Sequence, residues 1–275
     1  MKKAVLNYLV IVTLSISVTF TSCNNDDNND TDNNGPLLET ITFDNGDFTQ
    51  LEYDANNRIT KVSEHREEII DETTFSYIGN DLVKVVSPYS TMEFTKSGNK
   101  ITFSGTLNNA NIEGTINLNK NGLPTKIEWE SLEVDKYDDK KLYYIQVIQT
   151  YEYRSSNLEK TSFDRYYVTR YIIDEPTLLP GGGNNTMHIT GFNEYNNYDD
   201  NKSPFYYSKT PKWYWICFNS EFVFGYHNNP THIYIEGSKS ELKYEYNSDW
   251  FPIKCTRIGE NEDIIEYKYK ILALD

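Results

Sequence analysis

The sequence predicts an all-β protein: an antiparallel meander of repeated hairpins forming one long twisted or curled sheet, with a barrel or a sandwich as the alternatives. Three observations carry this. The apolar pattern has a period of two, and Asn/Asp/Gly turn signals recur between apolar runs. Aromatic residues, which pack well on pleated strands, are abundant, with 23 Tyr and 13 Phe in 275 residues.

The period is explicit in three places. Tyr143, Ile145, Val147, Tyr151 and Tyr153 share one parity, against Gln146, Thr150 and Glu152. Leu242, Tyr244 and Tyr246 oppose Glu241, Lys243 and Glu245, and Ile265, Tyr267, Tyr269 and Ile271 oppose Glu266, Lys268 and Lys270. Each reads as a strand with one buried and one wet face. No stretch of helical length carries a clean apolar stripe at i, i+3 and i+4.

The turns recur as a unit. Tyr53-Asp-Ala-Asn-Asn-Arg58-Ile-Thr-Lys61-Val62 aligns with Leu118-Asn-Lys-Asn-Gly-Leu123-Pro-Thr-Lys126-Ile127 and with Tyr246-Asn-Ser-Asp-Trp-Phe251-Pro-Ile-Lys254-Cys255. In each, an inward residue is followed five positions on by a new strand, with a Lys three further. Tyr77 to Lys84 and Tyr153 to Lys160 are variants shortened by one. Asn, Asp and Gly tolerate the positive φ of tight connections, so Asn121-Gly122 is expected to form a primed two-residue turn. The repeat Lys is expected on the solvent face, and Pro124 and Pro252 at strand starts. These units resemble the Tyr-Asp hairpin repeats of Bacteroidetes lipoproteins of unknown function. Tyr198-Asp-Asp-Asn-Lys-Ser-Pro-Phe205 and Asn228-Asn-Pro-Thr-His-Ile233 look like further segments of that family. The resemblance spans most of Phe43 to Tyr269 and implies architecture but no catalytic residue.

The N-terminus carries an address. Lys2 and Lys3 precede a short apolar run, Val5 to Phe20, then Thr21, Ser22 and Cys23. That order, in a run shorter than a membrane span, is a signal peptide, assigned to residues 1–22. Phe20-Thr21-Ser22-Cys23 resembles the lipobox of bacterial lipoproteins, with Phe20 for the usual Leu and Ser22 where Gly or Ala is commoner. The resemblance implies lipidation of Cys23. Residues 23–36 form an acidic, Asn-rich tether with no apolar side chain to bury, similar to the export signals of Bacteroidetes surface lipoproteins, which implies the outer membrane and the cell surface. Asp30 to Gly35 imitates half a calcium loop, but Ile41 stands where the bidentate Glu belongs, so it reads as spacer. Residues 37–275 are read as one β domain, with a flexible loop near 179–186 at the triple Gly.

Chemistry is thinly signalled. Net charge is −15, which argues against nucleic acid and against docking on anionic lipid through charge. His227 and His232 have poor spacing for a metal pair, and no metal or cofactor is assigned. Ser240-Glu-Leu-Lys243 lies in a period-two strand, which puts Ser240 and Lys243 on opposite faces and removes it as a nucleophile motif. Cys217 and Cys255 read either as a disulfide or as two separate buried thiols. Lys212-Trp-Tyr-Trp-Ile-Cys-Phe218 reads as a strand with Trp213 and Trp215 on one face, either buried or an aromatic platform for a ligand. The leading functional reading is a non-enzymatic binding module for a glycan, peptide or envelope partner. The alternatives are a carboxylate-based hydrolase and a structural partner in an outer-membrane assembly.

Cys23→Ala is expected to release the protein from the membrane fraction or leave the precursor uncleaved. A variant that fractionates and processes like wild type would remove the anchor assignment.

Overall fold

Alternation along the chain becomes strands, most of the turns between them are short, and each strand pairs with the next. The computed structural model describes residues 35–108, 110–135, 138–154, 157–171, 185–218, 228–235, 237–259 and 262–270. The leader, Cys23, most of the tether, most of the triple-Gly loop and His227 lie outside the described residues.

The strands are β1 (Leu37–Phe43), β2 (Phe48–Tyr53), β3 (Ile59–Arg66), β4 (Ile69–Ile78), β5 (Asp81–Ser87), β6 (Ser90–Ser97), β7 (Lys100–Leu107) and β8 (Ala110–Leu118). They continue with β9 (Pro124–Asp135), β10 (Asp138–Arg154), β11 (Asn157–Tyr171) and β12 (Asn185–Tyr198). A helix, α1 (Lys212–Phe218), precedes β13 (Pro230–Ile235), β14 (Ser238–Tyr246), β15 (Pro252–Ile258) and β16 (Glu262–Lys270). Hydrogen-bonded order follows chain order, and β16 pairs with β1, so the antiparallel meander closes as a barrel. This is the barrel alternative to the open curled sheet.

The chain forms two compact units, and their division does not fall at the triple Gly. One is drawn from Met1–Asp71, Glu152–Thr161 and Asn193–Asp275, the other from Glu72–Tyr151 and Ser162–Phe192. In the first, Ile41, Leu51, Val62, Leu242, Cys255 and Tyr267 are buried on one face. In the second, Phe75, Val85, Phe94, Ile101, Phe103, Ile112, Ile116, Ile127 and Val147 do the same. The opposite face of the second unit carries ion pairs, with Lys84–Glu93 at 2.8 Å and Lys126–Glu128 at 2.6 Å. That face is mixed, with Val86 and Leu132 exposed beside the ion pairs.

The three aligned turns share one geometry. Asp54, Asn119 and Asn247 each donate their N–H to the carbonyl four residues on, at 2.9, 2.8 and 3.0 Å. The side-chain oxygen of each also accepts two backbone N–H groups. Asp54 accepts from Asn56 and Arg58, Asn119 from Asn121 and Leu123, and Asn247 from Asp249 and Phe251, all at 2.9–3.1 Å. The residue before the new strand's lead-in takes positive φ: Asn57 at 60°, Gly122 at 75° and Trp250 at 64°. Asn121 is not among the positive-φ residues, so the turn is not a primed two-residue one. It is a turn followed by a single left-handed residue, which leaves one residue extra and shifts the ladder register at Tyr53, Leu118 and Tyr246. The connection of β1 to β2 has the same backbone bonds, with Phe43 in the Asx place and Gly46 at φ 89°.

The repeat lysines lie on the wet face, paired across strands. Lys61 meets Glu52 at 3.6 Å and Lys254 meets Glu245 at 3.0 Å, each opposite its partner in register.

A Cβ at Gly122 would meet nothing within 4 Å, so Gly122→Val costs only backbone strain, ~1–3 kcal/mol. Lys120→Ala should stay within about 0.5 kcal/mol, as exposed changes do. Trp250 is a bulky side chain held left-handed, so Trp250→Gly should stabilise by about 1 kcal/mol. Denaturant midpoints decide; equal values for all three would contradict this turn geometry.

Candidate functional site

Tyr198 to Phe205 begins as another repeat turn and does not finish as one. Asp199 accepts the Asn201 N–H at 3.0 Å, as the other Asx residues accept theirs. Its second N–H comes instead from Asn229, at 3.0 Å, and Asp199 donates its own N–H to the Asn229 carbonyl at 3.0 Å. The next residue, Pro230, starts β13, as Pro124 and Pro252 start β9 and β15. The turn has been opened and an excursion inserted between its two halves. Asp199 also accepts from the Tyr246 hydroxyl, and Asn229 Nδ2 donates to the Lys202 carbonyl at 3.1 Å.

The insert docks inside the first unit. The Lys209 N–H donates to the Asn57 carbonyl at 2.9 Å, and the Ile59 N–H donates to Thr210 Oγ1 at 2.8 Å, so the insert is tied to the intact first turn. Tyr207 packs directly on Gly35, where a Cβ would come 1.6 Å from the ring. The last residues of the expected tether, Gly35 and Pro36, are therefore seated and half-buried. Lys202 Nζ lies 5.2–5.4 Å from the rings of Phe251, Tyr206 and Tyr207.

The insert carries the aromatic run, and here the expected strand is a helix. Residues Lys212–Phe218 form α1, with Trp213 5% and Trp215 1% exposed. On a helix these indoles do not share one face, and they do not form an exposed row. Trp215 stacks on Phe205 at 5.8 Å. Burial lowers the Lys212 pKa to about 8, with Lys209 adding to it. Cys217 and Cys255 are not joined in a disulfide. Burial pushes the Cys255 thiol up to about 12, which keeps it protonated and unreactive. Burial likewise raises Tyr244 and Tyr267 well above the usual phenol range, so this interior is built of neutral hydroxyls.

A second cluster lies on the outer face of the second unit. The Tyr166 ring stacks on His188 at 4.2 Å and 8°, and Asp164 receives both. His188 Nε2 is 2.5 Å from Asp164 Oδ1, and the Tyr166 hydroxyl donates to Asp164 Oδ2 at 3.2 Å. His188 and Asp164 are 45% and 37% exposed, and Phe192 nearby on β12 is 50% exposed. A carboxylate between a phenol and an imidazole, with no serine or thiol in the group, is an acceptor beside two rings rather than an acyl-transfer triad.

The remaining candidates stay apart. His65 stacks on Phe48 at 4.1 Å, and His232 Nδ1 is 3.0 Å from Thr231 Oγ1. Among the described residues no three His, Cys, Asp or Glu side chains group as metal ligands. Among the described residues two carboxyls have clearly shifted pKa values, and both are lowered. Around Asp54, burial raises the value but the Arg58 and Asn56 hydrogen bonds outweigh it; at Glu93 the Lys84 hydrogen bond lowers it.

No family model and no curated protein matches the chain. Among solved structures it is similar to a porin-like protein from Bacteroides uniformis, with 10% identity and a TM-score of 0.31 over 85% of this chain and 96% of that one. A likeness at that level carries neither location nor activity across.

Asp199→Ala removes the acceptor for four donors in a half-buried network and should destabilise by ~2–4 kcal/mol. Tryptophan emission should shift to the red as α1 loosens. Unchanged stability and emission would show that the insert is held elsewhere.

Proposed function

We propose that this chain is an outer-membrane lipoprotein, held by lipid on Cys23 and displayed at the cell surface, that binds a glycan without transforming it. The outer cluster of Tyr166, His188 and Asp164 carries the binding part. The stacked pair, with His188 exposed and Tyr166 half-buried, offers an apolar face to the C–H side of a sugar, and the adjacent carboxylate accepts its hydroxyls; aromatic side chains with a polar handle suit such sites. The anchor rests on the lipobox-like leader that ends at Cys23. No described helix is long and apolar enough to cross a membrane. In this reading attachment comes from the lipid on Cys23.

The test is a glycan array followed by calorimetric titration of the mature chain, with the ligand recovered and weighed. Tyr166→Ala and His188→Ala should each weaken binding about tenfold, the worth of one ring contact and one hydrogen bond. The ligand should return with its mass unchanged. Cleaved ligand would favour the hydrolase reading, and variants that bind like wild type would remove the cluster from the site.

A further inference from the structure

We propose that the apolar face of β11 holds an anion at Arg165, and that the occupant is a carboxylate with an apolar body, a fatty acid in chemical class. Along β11, Phe163 and Arg165 are buried at 6% and 5% exposure, while Asp164 and Tyr166 between and beyond them face out. A guanidinium stays charged at any accessible pH. Burying it is costly unless an anion is paired with it. No carboxylate among the described residues pairs with Arg165; it lies over the Phe163 ring at 4.6 Å. A cation–π contact offsets only a small part of that cost.

A second observation points the same way. Gln149, opposite Ile127 on the apolar face of β10, is 5% exposed, and its Nε2 donor is buried without a partner. The unmatched group of Gln149 is thus a donor, the chemistry an anion completes. With a net charge of −15 the protein's long-range field repels anions, so a buried cation here is specific recognition rather than diffuse attraction.

The apolar body follows from register. Phe163 lies over Gly191, where a Cβ would come 2.3 Å from the ring, and Tyr166 stacks on His188. Both contacts give the same antiparallel register, which sets Arg165 opposite Ile189 with Met187 two residues along. Those side chains share the parity of Gly191 under the Phe163 ring, yet Ile189 is 39% and Met187 52% exposed. A buried cation flanked by accessible apolar side chains matches a charged head and a hydrocarbon tail. The site stands on the face opposite to the proposed glycan cluster, and neither reading requires the other.

The experiment titrates the mature chain with dodecanoate below its micelle concentration, with acetate and dodecyl maltoside as head-only and tail-only probes. Wild type should bind dodecanoate saturably and the two controls far more weakly. Arg165→Met should weaken dodecanoate binding roughly tenfold or more, the worth of a charge-assisted hydrogen bond. Its denaturation midpoint should equal or exceed that of wild type, because an unpaired buried charge has been removed. Tyr166→Ala should leave dodecanoate binding intact. Equal affinity for dodecanoate in wild type and Arg165→Met, equal binding of either control, or an Arg165→Met protein that loses stability while wild type binds nothing would each overturn the proposal.

Discussion

A side-chain oxygen that accepts two backbone N–H groups closes the recurring turn, and strand register depends on it. Asp54, Asn119 and Asn247 each hold the amides two and four residues on. Each of these three turns holds one left-handed residue, and the ladder shifts register beside it. The shift returns the chain with its apolar residues on the buried face. A slip of one residue would send Val62 or Ile127 into water and Lys61 or Lys126 into the core.

The same interaction explains how a largely β chain accommodates a helix. Asp199 keeps its first amide and exchanges the second for that of Asn229, so β12 and β13 pair as though the turn were intact. The opening is neutral for the sheet and adds an insert whose aromatic side chains are buried in the first unit. The insert's bonds to Asn57 and Ile59 then couple the opened turn to a closed one.

Much of the strand architecture was legible because alternation and turn chemistry agree over short distances. Tyr143 to Tyr153, Leu242 to Tyr246 and Ile265 to Tyr269 all fall in strands. The β1–β2 turn was hidden because Phe43 replaces the Asx residue and only the backbone keeps the pattern. Lys212 to Phe218 reads as a strand because aromatic residues favour strands and seven residues are too few to display a helical period. Thr210-Pro211 was the available signal, since Pro suits the start of a helix. The outer cluster and Arg165 were out of reach: Asp164 and His188 are 24 residues apart and meet only through the β11–β12 register, and a buried Arg looks like any other in a strand.

Hydrogen exchange resolved to single amides tests the central claim most directly. The amides of Arg58, Leu123, Phe251 and Asn229 each donate to an Asx side chain at the end of a turn. All four should be protected in the native protein, and Asp199→Ala should release Asn229 while Arg58, Leu123 and Phe251 stay slow. An Asn229 amide that exchanges as fast as an open loop in the wild-type protein would contradict the account, because the insert would then sit between two strands that its neighbours alone hold together.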